Sequence, residues 1–216
     1  MFAVPLLLAL AAAPAWPDTP LARAEALAAV QTLNADLLSH DSATLTLERW
    51  CDRHRIATPA TVVADRETGA APPPPEDLRA RLAVGPDEPI AYRRVALRCG
   101  DMVLSRADNW YVPARLTAAM NAALASSDTP FGKVVRPLGF QRHTLSARLL
   151  WSPLPAEWDV PGAPPPPKAP AGATLRWPDA LIEHRAVLVR ADGLPFSLVV
   201  ERYAGAVLAF PPPAAR

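Results

Sequence analysis

Residues 90–113, IAYRRVALRCGDMVLSRADNWYVP, decide the fold. Ile90 to Leu97 reads as a strand, Cys99-Gly100-Asp101 as a turn, and Met102 to Val112 as the returning strand, which Pro113 ends. A hairpin of this kind belongs to an antiparallel sheet. Within its first strand, side chains alternate with period two. Arg94 shares one face with Ile90, Tyr92 and Ala96, and Arg93 shares the other with Val95 and Leu97. One of the two arginines must point into protein, where it needs an anionic partner, because an unpaired buried charge is too costly.

Further strands are read at His143 to Trp151, Glu183 to Arg190 and Phe196 to Tyr203, the last two joined by the turn Ala191-Asp192-Gly193. Glu201 follows a β-branched run in the last of them. Turned inward, it is a candidate acid or base, or one half of an ion pair with Arg94. Helices are expected over Leu21 to Ser39, from Asp41-Ser42 to about His54, and over Thr117 to Ala125. Thr129-Pro130 opens another, with Thr129 as N-cap and Pro130 at the first helical position, where its missing N–H costs nothing. Strands in hairpins flanked by helices predict an α+β domain built on an antiparallel sheet.

The 216 residues carry 22 Lys plus Arg against 21 Asp plus Glu, a near-neutral balance without basic blocks. That supplies no electrostatic footprint for a nucleic-acid partner. With half of the residues apolar, the chain can bury a core and is not disordered. Cys51 and Cys99 have no companion ligands at zinc spacing, so no metal site is expected. They form one disulfide in an oxidising compartment or remain two buried thiols. His40, His54, His143 and His184 are scattered without a catalytic pattern. No phosphate-cradling glycine loop or dinucleotide fingerprint is present, so no cofactor is expected.

Residues 1–16 hold an apolar run and the step Ala13-Pro14-Ala15, which reads as a signal peptide. The expectation is a periplasmic or secreted protein, or a cytoplasmic one if the leader is not processed, without a transmembrane span. Residues 17–216 then form one domain. Proline reaches 27 residues, concentrated at 70–75, 161–170 and 211–213. These runs cannot join a sheet ladder and are expected as loops.

Taken in order, several segments resemble the chorismate pyruvate-lyase family, whose fold is shared by UTRA ligand-binding domains. They are Asp41-Ser42-Ala43-Thr44, Arg94-Val95-Ala96-Leu97-Arg98-Cys99, Val112-Pro113, Thr129-Pro130-Phe131-Gly132-Lys133, and Gly193-Leu194-Pro195 leading to Glu201. The resemblance covers about residues 20–210. It implies a chorismate lyase-like fold and elimination of pyruvate from chorismate to give 4-hydroxybenzoate without metal or cofactor; a monomer is expected. The partner it implies is a small aromatic or cyclohexadienyl carboxylate. Arg94 and the backbone amides near Ala43 and Phe131 would hold the ring carboxylate, and Glu201 would act at the hydroxyl end. Asn109 stands where the family carries a further arginine. The other reading is an exported, non-catalytic protein that binds a small aromatic carboxylate.

Overall fold

The computed structural model describes residues 15–213. The expected leader lies outside them apart from Ala15 and Trp16. Trp16 is a core residue: it is fully buried, its indole donates to the carbonyls of Leu208 (3.1 Å) and Phe210 (2.9 Å), and its ring packs edge-on against Phe210.

Helix α1 (Pro20–Leu38) starts where the Thr19 hydroxyl accepts from the Ala22 amide and Pro20 takes the first helical position. Helix α2 (Ala43–Arg53) is capped in the same way by Ser42, whose Oγ accepts from the Leu45 amide at 3.4 Å. Then come β1 (Val62–Arg66), α3 (Leu78–Arg81), the hairpin β2 (Ala91–Cys99) and β3 (Met102–Tyr111), α4 (Ala118–Ser126), α5 (Phe131–Val134), β4 (Gln141–Leu149), β5 (Ala180–Val189) and β6 (Pro195–Ala204). The six strands form one antiparallel sheet in the order β1-β2-β3-β6-β5-β4. The domain is α+β, as the hairpin indicated. The proline runs at 70–75 and 161–170 are loops.

The sheet has two unlike faces. On the inner face, Leu27, Val30, Leu33 and Leu37 of α1 and Leu47 and Trp50 of α2 are buried, and Val95, Leu97, Val199 and Tyr203 supply the strand side of this core. Farther along the same face, Tyr111, Leu188 and Phe196 pack with Met120 and Leu124 of α4 and Phe131 of α5. The outer face is covered in part by Leu78 and Leu82, which pack with Trp110, Val187 and Leu198.

Two local features differ from the sequence reading, and a third settles an alternative it left open. β1 has no clear signal in the sequence: Val62, Val63 and Ala64 are followed by Asp65 and Arg66, a pattern too short to mark a strand. It forms because β2 offers it an edge, with Ala64 opposite Leu97. Thr129 is not the cap of α5. That helix is a single turn beginning at Phe131, with Pro130 at its cap position, and the Thr129 carbonyl instead accepts from Arg93 at 3.2 Å. Cys51 and Cys99, for which two states were open, are joined in a disulfide that ties the C-terminal half of α2 to the end of β2.

Candidate functional site

A pocket lies between the inner face of the sheet and the starts of α2 and α5. Its apolar walls include Val95, Leu97, Phe131, Phe140, Leu188 and Val199, and its polar groups include Ser42, Thr44, Arg93, Asn109, Arg142 and Glu201. Strand register accounts for the polar set. Arg93 stands opposite Asn109, and Asn109 opposite Val199; one row away, Val95 stands opposite Ala107, and Ala107 opposite Glu201. Side chains in such rows share a face. The cavity has a volume of about 40 Å³. That is well below the ~150 Å³ that admits a benzene ring, so a ring enters only if the lining side chains give way.

Arg93 is 5% exposed and has no carboxylate partner among the described residues. Its Nη2 donates to the carbonyls of Ser127 (3.4 Å) and Thr129 (3.2 Å), while Nε and Nη1 are buried without a protein partner. Burial pulls its pKa below the ordinary arginine value, and the Arg66 charge adds to that effect. Beside it, Ala43 begins α2. The first amide bonded within that helix is Thr46 N–H, to the Ser42 carbonyl, and Leu45 N–H is taken by the Ser42 hydroxyl. The amides of Ala43 and Thr44 are thus left without intrahelical partners at the positive end of the helix. A buried cation without an acid, next to the positive end of an 11-residue helix, makes a site for an anion.

Across the pocket, Glu201 is not a solitary carboxylate. Its Oε2 accepts from the Arg142 guanidinium and from the Tyr203 hydroxyl at 2.9 Å. Oε1 has no protein hydrogen bond among the described residues. The Arg142 side chain is 4% exposed and that of Glu201 8%. Burial disfavours the Arg142 cation, but the Glu201 carboxylate, with Tyr203 and Asp41 adding to it, offsets this and its pKa rises. Burial, reinforced by the same carboxylate, pushes the Tyr203 phenol well above its ordinary value, so it stays a donor. His184 stands opposite Glu201 on β5, is fully buried and shares a 2.8 Å hydrogen bond between Nε2 and Asn34 Oδ1. Burial lowers its pKa, with Glu201 opposing the shift and Arg142 reinforcing it, and the ring is neutral.

Of the residues singled out by sequence, Ala43, Phe131 and Glu201 line this pocket together. Arg94 does not, and the expectation that it holds the anion is corrected. It lies on the outer face, its side chain 38% exposed, with Nε 3.3 Å from Glu67 and 3.5 Å from Asp108. Those two acids, with Tyr92 and Arg202 also on Asp108, form a charged patch that holds Arg94 outward. The inward arginine is its neighbour Arg93. Arg142 and His184 were missed: a lone arginine carries no signal in a chain whose basic residues are nearly all arginine, and a lone histidine in a strand reads as core. Among the described residues, no group of three or more His, Cys, Asp or Glu side chains could hold a metal ion. No described helix is long and apolar enough to cross a membrane.

Comparison with known proteins gives one strong relative in sequence. The uncharacterized protein y4mC of Sinorhizobium fredii (strain NBRC 101917 / NGR234) is 55% identical over 199 residues, 92% of this chain and 83% of y4mC. No protein-family model matches the chain. Among solved structures, PhnF from Mycobacterium smegmatis matches over 69% of this chain with 13% identity and a TM-score of 0.45, the match spanning 61% of PhnF. A GntR-family transcriptional regulator from Enterococcus faecalis V583 matches over 67% of this chain and 95% of its own, with 15% identity and a TM-score of 0.42.

Proposed function

The chain belongs to the family of the y4mC protein of Sinorhizobium fredii, and from its pocket we propose that it binds a small aromatic monocarboxylate such as 4-hydroxybenzoate. The observation that carries this reading is Arg93, a buried guanidinium that faces the pocket and has carbonyls but no carboxylate for partners. A ligand carboxylate supplies the missing acid and accepts from Nε or Nη1 and from the free amides at the start of α2. The ring lies against Val95, Leu97, Phe131 and Val199, and Phe140 swings aside to admit it. A phenolic hydroxyl at the far end donates to Glu201 Oε1.

A second reading, elimination of pyruvate from chorismate, is favoured by one observation: Glu201 lines the same pocket. Against it stands the engagement of Oε2 by Arg142 and Tyr203, which commits half of that carboxylate to structure. We also propose export to an oxidising compartment. The apolar run that precedes Trp16, ending in the step Ala13-Pro14-Ala15, and the Cys51–Cys99 disulfide support it, since such bonds are rare in reducing compartments; Trp16, a core residue, belongs to the domain and not to the leader.

Thermal unfolding with 4-hydroxybenzoate, paired with a pyruvate assay on chorismate, tests the proposal. A ligand at about a hundred times its Kd stabilises by ~2.7 kcal/mol, and for a domain of this size that raises Tm by roughly 5–10 °C. Such a rise without pyruvate release supports the binding reading. Pyruvate release replaces it with the lyase, and no rise with any benzoate removes it.

A further inference from the structure

We infer that the pocket accepts one negative charge and no more, and that the Arg142–Glu201 pair sets that limit. The inference rests on the binding reading above and names the class of ligand for that same site.

Three buried charges line the pocket. Two are guanidinium groups, Arg93 and Arg142, and one is the Glu201 carboxylate. Glu201 is bonded to Arg142, and both side chains are more than nine-tenths buried, so little water screens or competes with the pair. That leaves the charge of Arg93 as the single one without a counter-charge. Asp41 also reaches the pocket wall, where its Oδ1 accepts from the Arg142 amide at 2.7 Å, but it is exposed and water screens it. His184 and Tyr203, packed behind Glu201, are neutral and add nothing to the count.

A ring monocarboxylate seated on Arg93 therefore completes the neutralisation. A second carboxylate on the far side of the ring would meet Glu201 with like sign, and the cation that could have received it is already taken. Chorismate, with two carboxylates, falls on the excluded side. The same geometry gives a reversal. Changing Glu201 to glutamine keeps the shape and removes the charge, so Arg142 becomes a second buried cation without a partner. The pocket then calls for a dianion.

Calorimetric titration at neutral pH and low salt with 4-hydroxybenzoate and with terephthalate, its dicarboxylate counterpart, tests this. The wild-type protein should bind 4-hydroxybenzoate at least about thirtyfold more tightly than terephthalate. In Glu201→Gln that ratio should fall at least about tenfold, chiefly through a gain in terephthalate affinity. In the double variant Arg142→Met/Glu201→Leu, which replaces the pair by apolar side chains, terephthalate should gain nothing. If the wild-type protein takes both ligands equally well, or if a folded Glu201→Gln keeps the wild-type ratio, the charge limit is overturned while the binding reading stands. Failure of the wild-type protein to bind 4-hydroxybenzoate overturns both. Should Glu201→Gln not fold, the wild-type ratio and the double variant still decide the matter.

Discussion

A buried guanidinium is usually found facing a carboxylate, and in this protein Arg142 obeys the rule while Arg93 does not. The contrast separates structure from function at the level of single side chains. Arg142 holds Glu201 in place, and Arg93, which lines the same pocket, keeps Nε and Nη1 buried without a protein partner. Two histidines, one packed beside Glu201 and one at the far end of α2, make a prediction about acid. His184 is fully buried beside Tyr203, and His54 lies between Trp50 and Phe210. Burial holds both below the ordinary value of 6.5, with Arg53 adding to the shift of His54. Each is neutral when folded, so the unfolded chain binds more protons in acid. Their contribution to stability is complete above the unfolded value of about 6.5 and is lost as pH falls from there through the lower folded values. Tm measured from pH 7.5 to 5 should therefore fall as the solution is acidified, and His184→Gln should flatten the slope. At this scale Glu201, Ala43 and Phe131 were legible in the sequence. Period two showed that one of Arg93 and Arg94 faces inward and was silent on which. The deciding facts are acids on other segments: Glu67 and Asp108 lie 3.3 and 3.5 Å from the Arg94 Nε on the outer face.

The elements that carry the anion site are α2 and β2, and the Cys51–Cys99 disulfide fastens them together at the end away from Ala43 and Arg93. The two cysteines are 48 positions apart, and closing a loop of that length stabilises the fold by about 4 kcal/mol in the chain-entropy model. The double variant Cys51→Ala/Cys99→Ala should lose ~2–5 kcal/mol in urea unfolding. It should also bind 4-hydroxybenzoate more weakly, because α2 and β2 are then free to shift against each other. The β2–β3 hairpin and helices α1, α2 and α4 were readable because their signals are local: alternation, a Gly turn, helical spacing of apolar residues and, for α2, a capping residue at Asp41-Ser42; the structure adds the caps Thr19 and Thr117. β1 and α5 were not read correctly. β1 is defined by its pairing with β2, and α5 is too short for its Thr129-Pro130 signal to specify a helix start.

For the molecule as a whole, the antiparallel sheet divides two tasks between its faces. Outward, Arg94, Arg98, Arg106, Arg148 and Arg202 meet Asp65, Glu67, Asp108 and Glu183 in pairs whose guanidinium side is open to solvent, each worth at most about 1 kcal/mol. Inward, the helices seal an apolar core that stops short of Arg93 and Glu201. The α+β architecture followed from hairpins alternating with helices, whereas the pocket depends on which face each charged residue takes, a property of the assembled sheet. Titration of 4-hydroxybenzoate into Arg93→Met and Arg94→Ala, against the wild-type protein, tests the central claim most directly. A hydrogen bond to a charged group is worth ~1.5–3 kcal/mol, so Arg93→Met should weaken binding by at least about tenfold, and Arg94→Ala should bind as the wild-type protein does. Equal affinity for Arg93→Met and the wild-type protein, or loss of binding in Arg94→Ala, would contradict it.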